Sequence, residues 1–208
     1  MTAADTHVDR VARRQVDKFE ERRRELADAA LLTLSELGYA RTSLREIAQN
    51  SAFSHGVLHY YFRDKVDLIT YCVRLYKAEC VTRYDEVTAT ARTGPELRAG
   101  FAEAMSRTLV ADAALHRLWY DLRNQSLFED FFRADVGEID ESLERMITRI
   151  VTRYAELTGS RLAVPARLAY ALFDGVFQHA LLRQLAGDQD AAGDLGDDVR
   201  HVLDQVVA

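Results

Sequence analysis

Two histidines one helical turn apart, His55 and His59, flank Gly56 and follow Ser54. An imidazole can donate and accept hydrogen bonds, a glycine lets a backbone come close, and a serine before a helix accepts its first free amides. Such a helix tip can enter a duplex groove, because it is small and polar and its free N–H groups attract phosphate. Neighbouring residues extend the set. Arg45 has the planar fork that pairs with guanine, a contact worth about 1–3 kcal/mol of base discrimination. Thr42, Ser43 and Tyr60 carry hydroxyls for phosphate oxygens, and Lys65 supplies a point charge. Phe53 can pack inward or meet a thymine methyl.

A second concentration of chemistry lies further along. His116, Trp119, Tyr120, Arg123 and Asn124 crowd one segment, with Met105 on the helix before it. Tyr170, Asp174, Phe177 and Gln178 do likewise on an otherwise apolar helix. Polar groups one turn apart on an inward face either line a cavity or are satisfied within the core. Trp119 and Tyr120 beside Asp121 would suit a cation. Catalytic patterns are missing: there is no Gly-rich phosphate loop, His-Glu-x-x-His, Gly-x-Ser-x-Gly or Cys-x-x-Cys. Asp112 and His116 share a helical face, but two lone ligands make no metal site. A non-enzymatic binding protein with no metal is expected.

The positioning elements can be read from periodicity. Leu26, Ala30, Leu34 and Leu37 form one stripe of a first helix over about 16–37, stopped by Gly38. Ser43 and Glu46 make a capping box for a short second helix ending near Asn50. Ser54 caps a third, through about Tyr60, with Leu58 and Phe62 inward. Two short helices joined by a tight turn and braced by a longer one match a helix-turn-helix. Asp64 caps a fourth, read as continuous to about Arg92, and Pro95 opens a fifth. A sixth covers 112–124, a seventh 132–157, an eighth starts at Pro165, and a ninth follows a Gly/Asp-rich linker over 187–193. The expected fold is all-α with about nine helices.

Composition agrees. The chain has 208 residues, 48% hydrophobic and 29% charged, with two prolines, which excludes a disordered chain and speaks against a β-sandwich. The net charge of −6 excludes a general nucleic-acid coat, yet seven basic residues against three acidic fall within 10–24. Cys72 and Cys80, eight residues apart on one helix, are separated by about 12 Å, beyond disulfide reach. No apolar leader or membrane span is evident, so a reduced, cytoplasmic protein with no membrane partner is expected.

The run Gly38-Tyr39, Thr42-Ser43-Leu44-Arg45-Glu46-Ile47-Ala48 and Ser54-His55-Gly56-Val57-Leu58-His59-Tyr60-Tyr61-Phe62-Arg63-Asp64-Lys65 resembles the tetracycline-repressor (TetR) family. The likeness covers about residues 22–68. It implies a transcription regulator that binds a palindromic double-stranded operator as a homodimer and is released by a small-molecule effector, here of unknown identity, with no cofactor. It also implies a helix-turn-helix domain over 19–66 and an effector-binding and dimerisation domain over 67–208, while a basic extension over 1–18 precedes the family's usual start. Arg10, Arg13 and Arg14 of the extension would either form an arm lying in a minor groove or belong to a frayed, solvated terminus. Phe173, Val176, Ala180, Leu181, Val199, Val202 and Val206 would form the dimer face, the alternative being that they simply bury against helix seven. Two departures stand out. The family's Ala-Gly-Val turn is Ser51-Ala52-Phe53 here, so either Asn50 takes the left-handed conformation or the turn is built differently. His59 also replaces the first tyrosine of the family's Tyr-Tyr-x-Phe run.

Overall fold

A computed structural model describes the backbone of residues 3–208 and the side chains of residues 16–208. The side chains of Arg10, Arg13 and Arg14 therefore lie outside the described residues. The chain forms two compact units, Met1–Val73 and Arg74–Ala208. Among the described residues all regular structure is helical, apart from an isolated bridge between Leu162 and Val207.

The first unit holds α1 (Ala3–Arg41), α2 (Leu44–Gln49), α3 (His55–Tyr61) and the start of α4 (Lys65–Cys80). Its core is the predicted stripe of Leu26, Ala30 and Leu34 against Leu44, Ile47, Leu58 and Phe62. Gly38 breaks α1 with φ 74° and ψ 173°, a conformation essentially restricted to glycine. The broken ladder frees carbonyls, and two side chains take them up. The Thr42 hydroxyl donates to the Gly38 carbonyl at 2.7 Å, and the Lys65 ammonium to the Tyr39 carbonyl at 2.8 Å.

Ser43 accepts from the Glu46 amide at 3.2 Å, and Ser54 from the Val57 amide at 3.3 Å, capping the two short helices as expected. The turn between them needs no left-handed residue. Asn50 has φ −101°, and no non-glycine among the described residues has positive φ. Side chains shape the turn instead: Asn50 donates to the Glu46 carbonyl and Ser51 accepts from the Phe53 amide. Arg23 braces the bundle, lying over the Phe62 and Tyr71 rings and reaching Asp67 on α4.

The second unit corrects the long fourth helix. α4 ends at Cys80, the chain turns through Val81–Tyr84, and α5 (Asp85–Thr90) follows. The Thr82 hydroxyl bonds the Glu79 carbonyl, competing with the helical ladder, while Tyr84 buries its ring edge-on to Phe101. Both cysteines stay on α4, buried and free.

The remaining helices are α6 (Gly94–Ala111), α7 (Ala113–Gln125), α8 (Asp130–Thr158), α9 (Ala166–Leu185) and α10 (Ala191–Gln205). Thr93 accepts from the Glu96 amide, and the Glu96 carboxylate accepts from the Arg92 amide, a reciprocal start for α6. Gly159, left-handed at φ 67°, ends α8. Helix α6 runs through the middle, packed by α8, α9 and α10.

That arrangement overturns most of the expected dimer face. Phe173, Ala180, Leu181, Val199 and Val206 are buried in the chain's own core, and only Val176 and Val202 are partly exposed. The reason is their register. These side chains are the ones α9 and α10 turn toward α6 and α8, and Phe173 meets Phe101 of α6 at 5.6 Å. The outer face of α9 carries Leu168, Leu172, Leu182 and Leu185 instead, all exposed.

Candidate nucleic-acid face and ligand cavity

In the first unit, Arg45 on α2 and His55, Gly56, His59 and Tyr60 on α3 face outward. The two imidazoles meet edge-on at 4.4 Å. Added bulk at Gly56 would meet only Ser54 Oγ, at 4.0 Å, so the tip is open as well as small. Tyr60 is 73% exposed, its ring edge-on to Phe19 and Tyr61. Ser43 and Ser54 are exposed with their hydroxyls already capping helices.

Three expected contacts are placed otherwise. Thr42 is 2% exposed and its hydroxyl serves the break after α1, so no phosphate reaches it. Phe53 is half-buried with the Arg22 guanidinium 4.7 Å above its ring, so it packs onto α1. Lys65 is half-buried, its ammonium on the Tyr39 carbonyl and 4.0 Å from the Tyr39 ring centre. It ties the end of α1 to the start of α4 rather than standing as an unattached point charge.

The second unit encloses a cavity with about 550 Å³ of empty space including its mouth. Of the expected pocket residues, Met105, His116, Trp119, Tyr120, Tyr170, Asp174 and Phe177 line it. Arg123 stands behind the wall, paired with Asp174 and Asp140. Asn124 is exposed and Gln178 is half-buried off the wall, because the helical rotation of α7 and α9 turns them away. Phe173, expected at a dimer face, lines the cavity too.

Sequence reasoning missed the residues supplied by other elements, above all Lys77, Cys80 and Arg83, and Leu143, Met146 and Ile147 of α8. For Lys77 a signal existed: it shares the buried stripe of Val73, Tyr76 and Cys80, where a charge is out of place.

The wall has a definite polar arrangement. Tyr120 donates to Asp174 at 3.0 Å, and Arg123 pairs with the other oxygen of the same carboxylate. Arg83 pairs with Asp112 and donates to Thr108 at 3.2 Å. Tyr76 and His116 share a hydrogen bond at 3.1 Å, and Phe177 meets the imidazole at 4.6 Å. Burial, helped by Lys77 and Arg83, pushes the His116 pKa down to about 2, so the ring is neutral. Burial likewise lowers Lys77 to about 8, partly offset by Cys80 and Asp174. Burial and Asp174 push Tyr120 upward, keeping its phenol protonated. With Asp112 held by Arg83, the Asp112–His116 pair is no metal site, and among the described residues no cluster of His, Cys, Asp and Glu suits a metal ion.

Comparison with known proteins gives three kinds of likeness. A family model described as bacterial regulatory proteins, tetR family, matches residues 26–72. Over 197 residues the chain is 28% identical to the HTH-type transcriptional regulator BetI of Burkholderia mallei (strain NCTC 10229), covering 91% of this chain and 95% of that protein. Among solved structures, the transcriptional regulator FadR from Bacillus subtilis in complex with stearoyl-CoA has a TM-score of 0.71 at 21% identity, covering 86% of this chain and 95% of that one. A chain from Saccharomonospora viridis in complex with choline has a TM-score of 0.74 at 15% identity, covering 90% and 98%. At such identities the structural likenesses show the fold alone.

Proposed function

We propose that this chain is a transcriptional regulator of the TetR family rather than an enzyme, that it represses by binding a palindromic operator as a homodimer in the cytoplasm, and that it is released when a small molecule fills the cavity. The observation that carries the DNA reading is the uncovered tip of α3, where His55, Gly56 and His59 are exposed, as is Arg45 on α2. Arg45 and the histidines read base edges, while Ser43, Ser54 and Tyr60 position the phosphates.

The dimer reading rests on α9. One module contacts too little DNA for tight specific binding, so two copies reading two half-sites are needed. Leu168, Leu172, Gly175, His179 and Leu182 are exposed at steps of four, three, four and three, a helix-pairing stripe left without cover in the single chain. The effector reading rests on the cavity, and on a fold shared with proteins solved with stearoyl-CoA and with choline. Helix α4 runs unbroken from Lys65 to Lys77 on the cavity wall, which makes it the lever.

The test is selection of bound duplexes from a random library, followed by anisotropy titration on the winner. A two-fold symmetric site bound by two chains is expected. Arg45→Ala should lose about 1–3 kcal/mol on that site and little on unrelated duplex. Equal loss on every sequence would show that Arg45 does not read bases, and a sequence-independent selection would overturn the operator reading.

A further inference from the structure

Among the described residues, Lys77 is the charged cavity residue that lacks a direct partner, its charge offset only in part and at a distance by Cys80 and Asp174. It is 4% exposed and lines the cavity. The other charged groups of the wall are matched: Arg83 by Asp112, Asp174 by Arg123. Among the described residues the Lys77 ammonium has no hydrogen-bond or ion-pair partner, only the ring faces of Trp119 at 5.1 Å and Tyr76 at 5.3 Å. A buried ammonium without an acceptor is costly, and three donors remain to be satisfied.

We propose that the cavity takes an apolar molecule bearing a single carboxylate, with the carboxylate seated on Lys77 and the tail among Met105, Leu143, Met146, Ile147 and Phe177. This rests on the reading of the cavity as the effector site and gives that site its chemical class. The alternatives fit worse. A quaternary ammonium needs an open aromatic face and an unmatched anion, but Lys77 already lies over Trp119, and Asp174 is held by Arg123 and Tyr120. A cationic ligand would also face Lys77 and Arg83 with like charge. A neutral ligand would seal the ammonium away from water with no counter-ion. With burial holding Lys77 near 8, the amine is still largely protonated at pH 7, so the carboxylate meets a formed ammonium.

The experiment compares three probes of equal tail length, octanoate, octan-1-ol and octyltrimethylammonium, by calorimetry on the full chain at pH 7, alongside operator anisotropy. Octanoate should bind best, and Lys77→Met or Lys77→Gln should weaken it about 10-fold or more while leaving octanol unchanged or tighter. Comparing head groups on the unaltered chain keeps the test valid if a variant folds poorly. Stronger binding of the ammonium probe, an octanoate affinity indifferent to both variants, or no binding of octanoate would each overturn the assignment. The two readings separate cleanly. Operator release by the ammonium probe alone sinks the carboxylate assignment and spares the regulator; octanoate that binds through Lys77 without altering operator affinity does the reverse.

Discussion

At the level of single residues, the cavity wall couples stability to pH through two groups that burial disfavours in charged form. The unfolded chain holds the Lys77 proton until about pH 10.5, the folded chain only to about 8. Folding is therefore penalised below pH 8, and stability recovers as pH rises from 8 to 10.5. The penalty is about 3 kcal/mol, so Lys77→Met should raise the ligand-free Tm by several degrees at pH 7, the gain shrinking toward pH 10.5. A variant less stable than the parent at pH 7 would show that the ring contacts outweigh desolvation. His116 acts at the other end. The unfolded ring protonates near 6.5 and the buried one near 2, so its contribution is full above 6.5 and lost progressively below. A urea series from pH 7.5 to 5 should show stability falling, less steeply in His116→Gln. Residue types were the legible part here: His116, Trp119, Tyr120 and Asp174 announced a polar-aromatic cluster. Their partners were not legible, because Lys77 comes from 39 positions before His116 and nothing local joins them.

At the level of elements, capping chemistry carried the reading and burial corrected it. Ser43, Ser54 and Asp64 each begin a helix in the expected place, since a cap is decided within four residues. Gly38, expected to stop the first helix, breaks α1 short of its end at Arg41, in an extended positive-φ conformation rather than the helical left-handed one. Gly38→Ala should cost of order 1–3 kcal/mol and loosen the Thr42 and Lys65 ties that depend on the break. Chemical denaturation measures the first effect, and faster amide exchange at Thr42 the second; a cost under 0.5 kcal/mol, on the order of an ordinary surface change, would contradict it. The missed break between α4 and α5 has a different origin. Its cause is the burial of Tyr84 against Phe101, a partner 17 residues away that no periodicity within α4 reveals.

At the level of the whole molecule, the α9 stripe predicts an assembly. Leu172→Glu combined with Leu182→Glu should leave helix content unchanged, since both side chains are exposed in the single chain. The pair should yield a monomer by sedimentation and lower operator affinity by at least the contribution of one half-site; a dimer that survives both changes would place the interface elsewhere. The face expected from the sequence is mostly the inward one, for a simple reason. Both faces of α9 are apolar: Ala169, Phe173, Ala180 and Leu181 on one, Leu168, Leu172 and Leu182 on the other. Periodicity alone says that such a helix is buried all round, not which face the protein covers itself. What the amino-acid order determined is whatever depends on near neighbours: most of the helices, their caps and the small polar tip of α3. What tertiary packing alone decided is which side of α9 stays open, that Thr42, Phe53 and Lys65 turn inward, and that Lys77 is shut in a cavity with no counter-ion. Those outcomes depend on contacts between residues far apart in the chain, where burial and charge pairing, rather than local propensity, set the free energy.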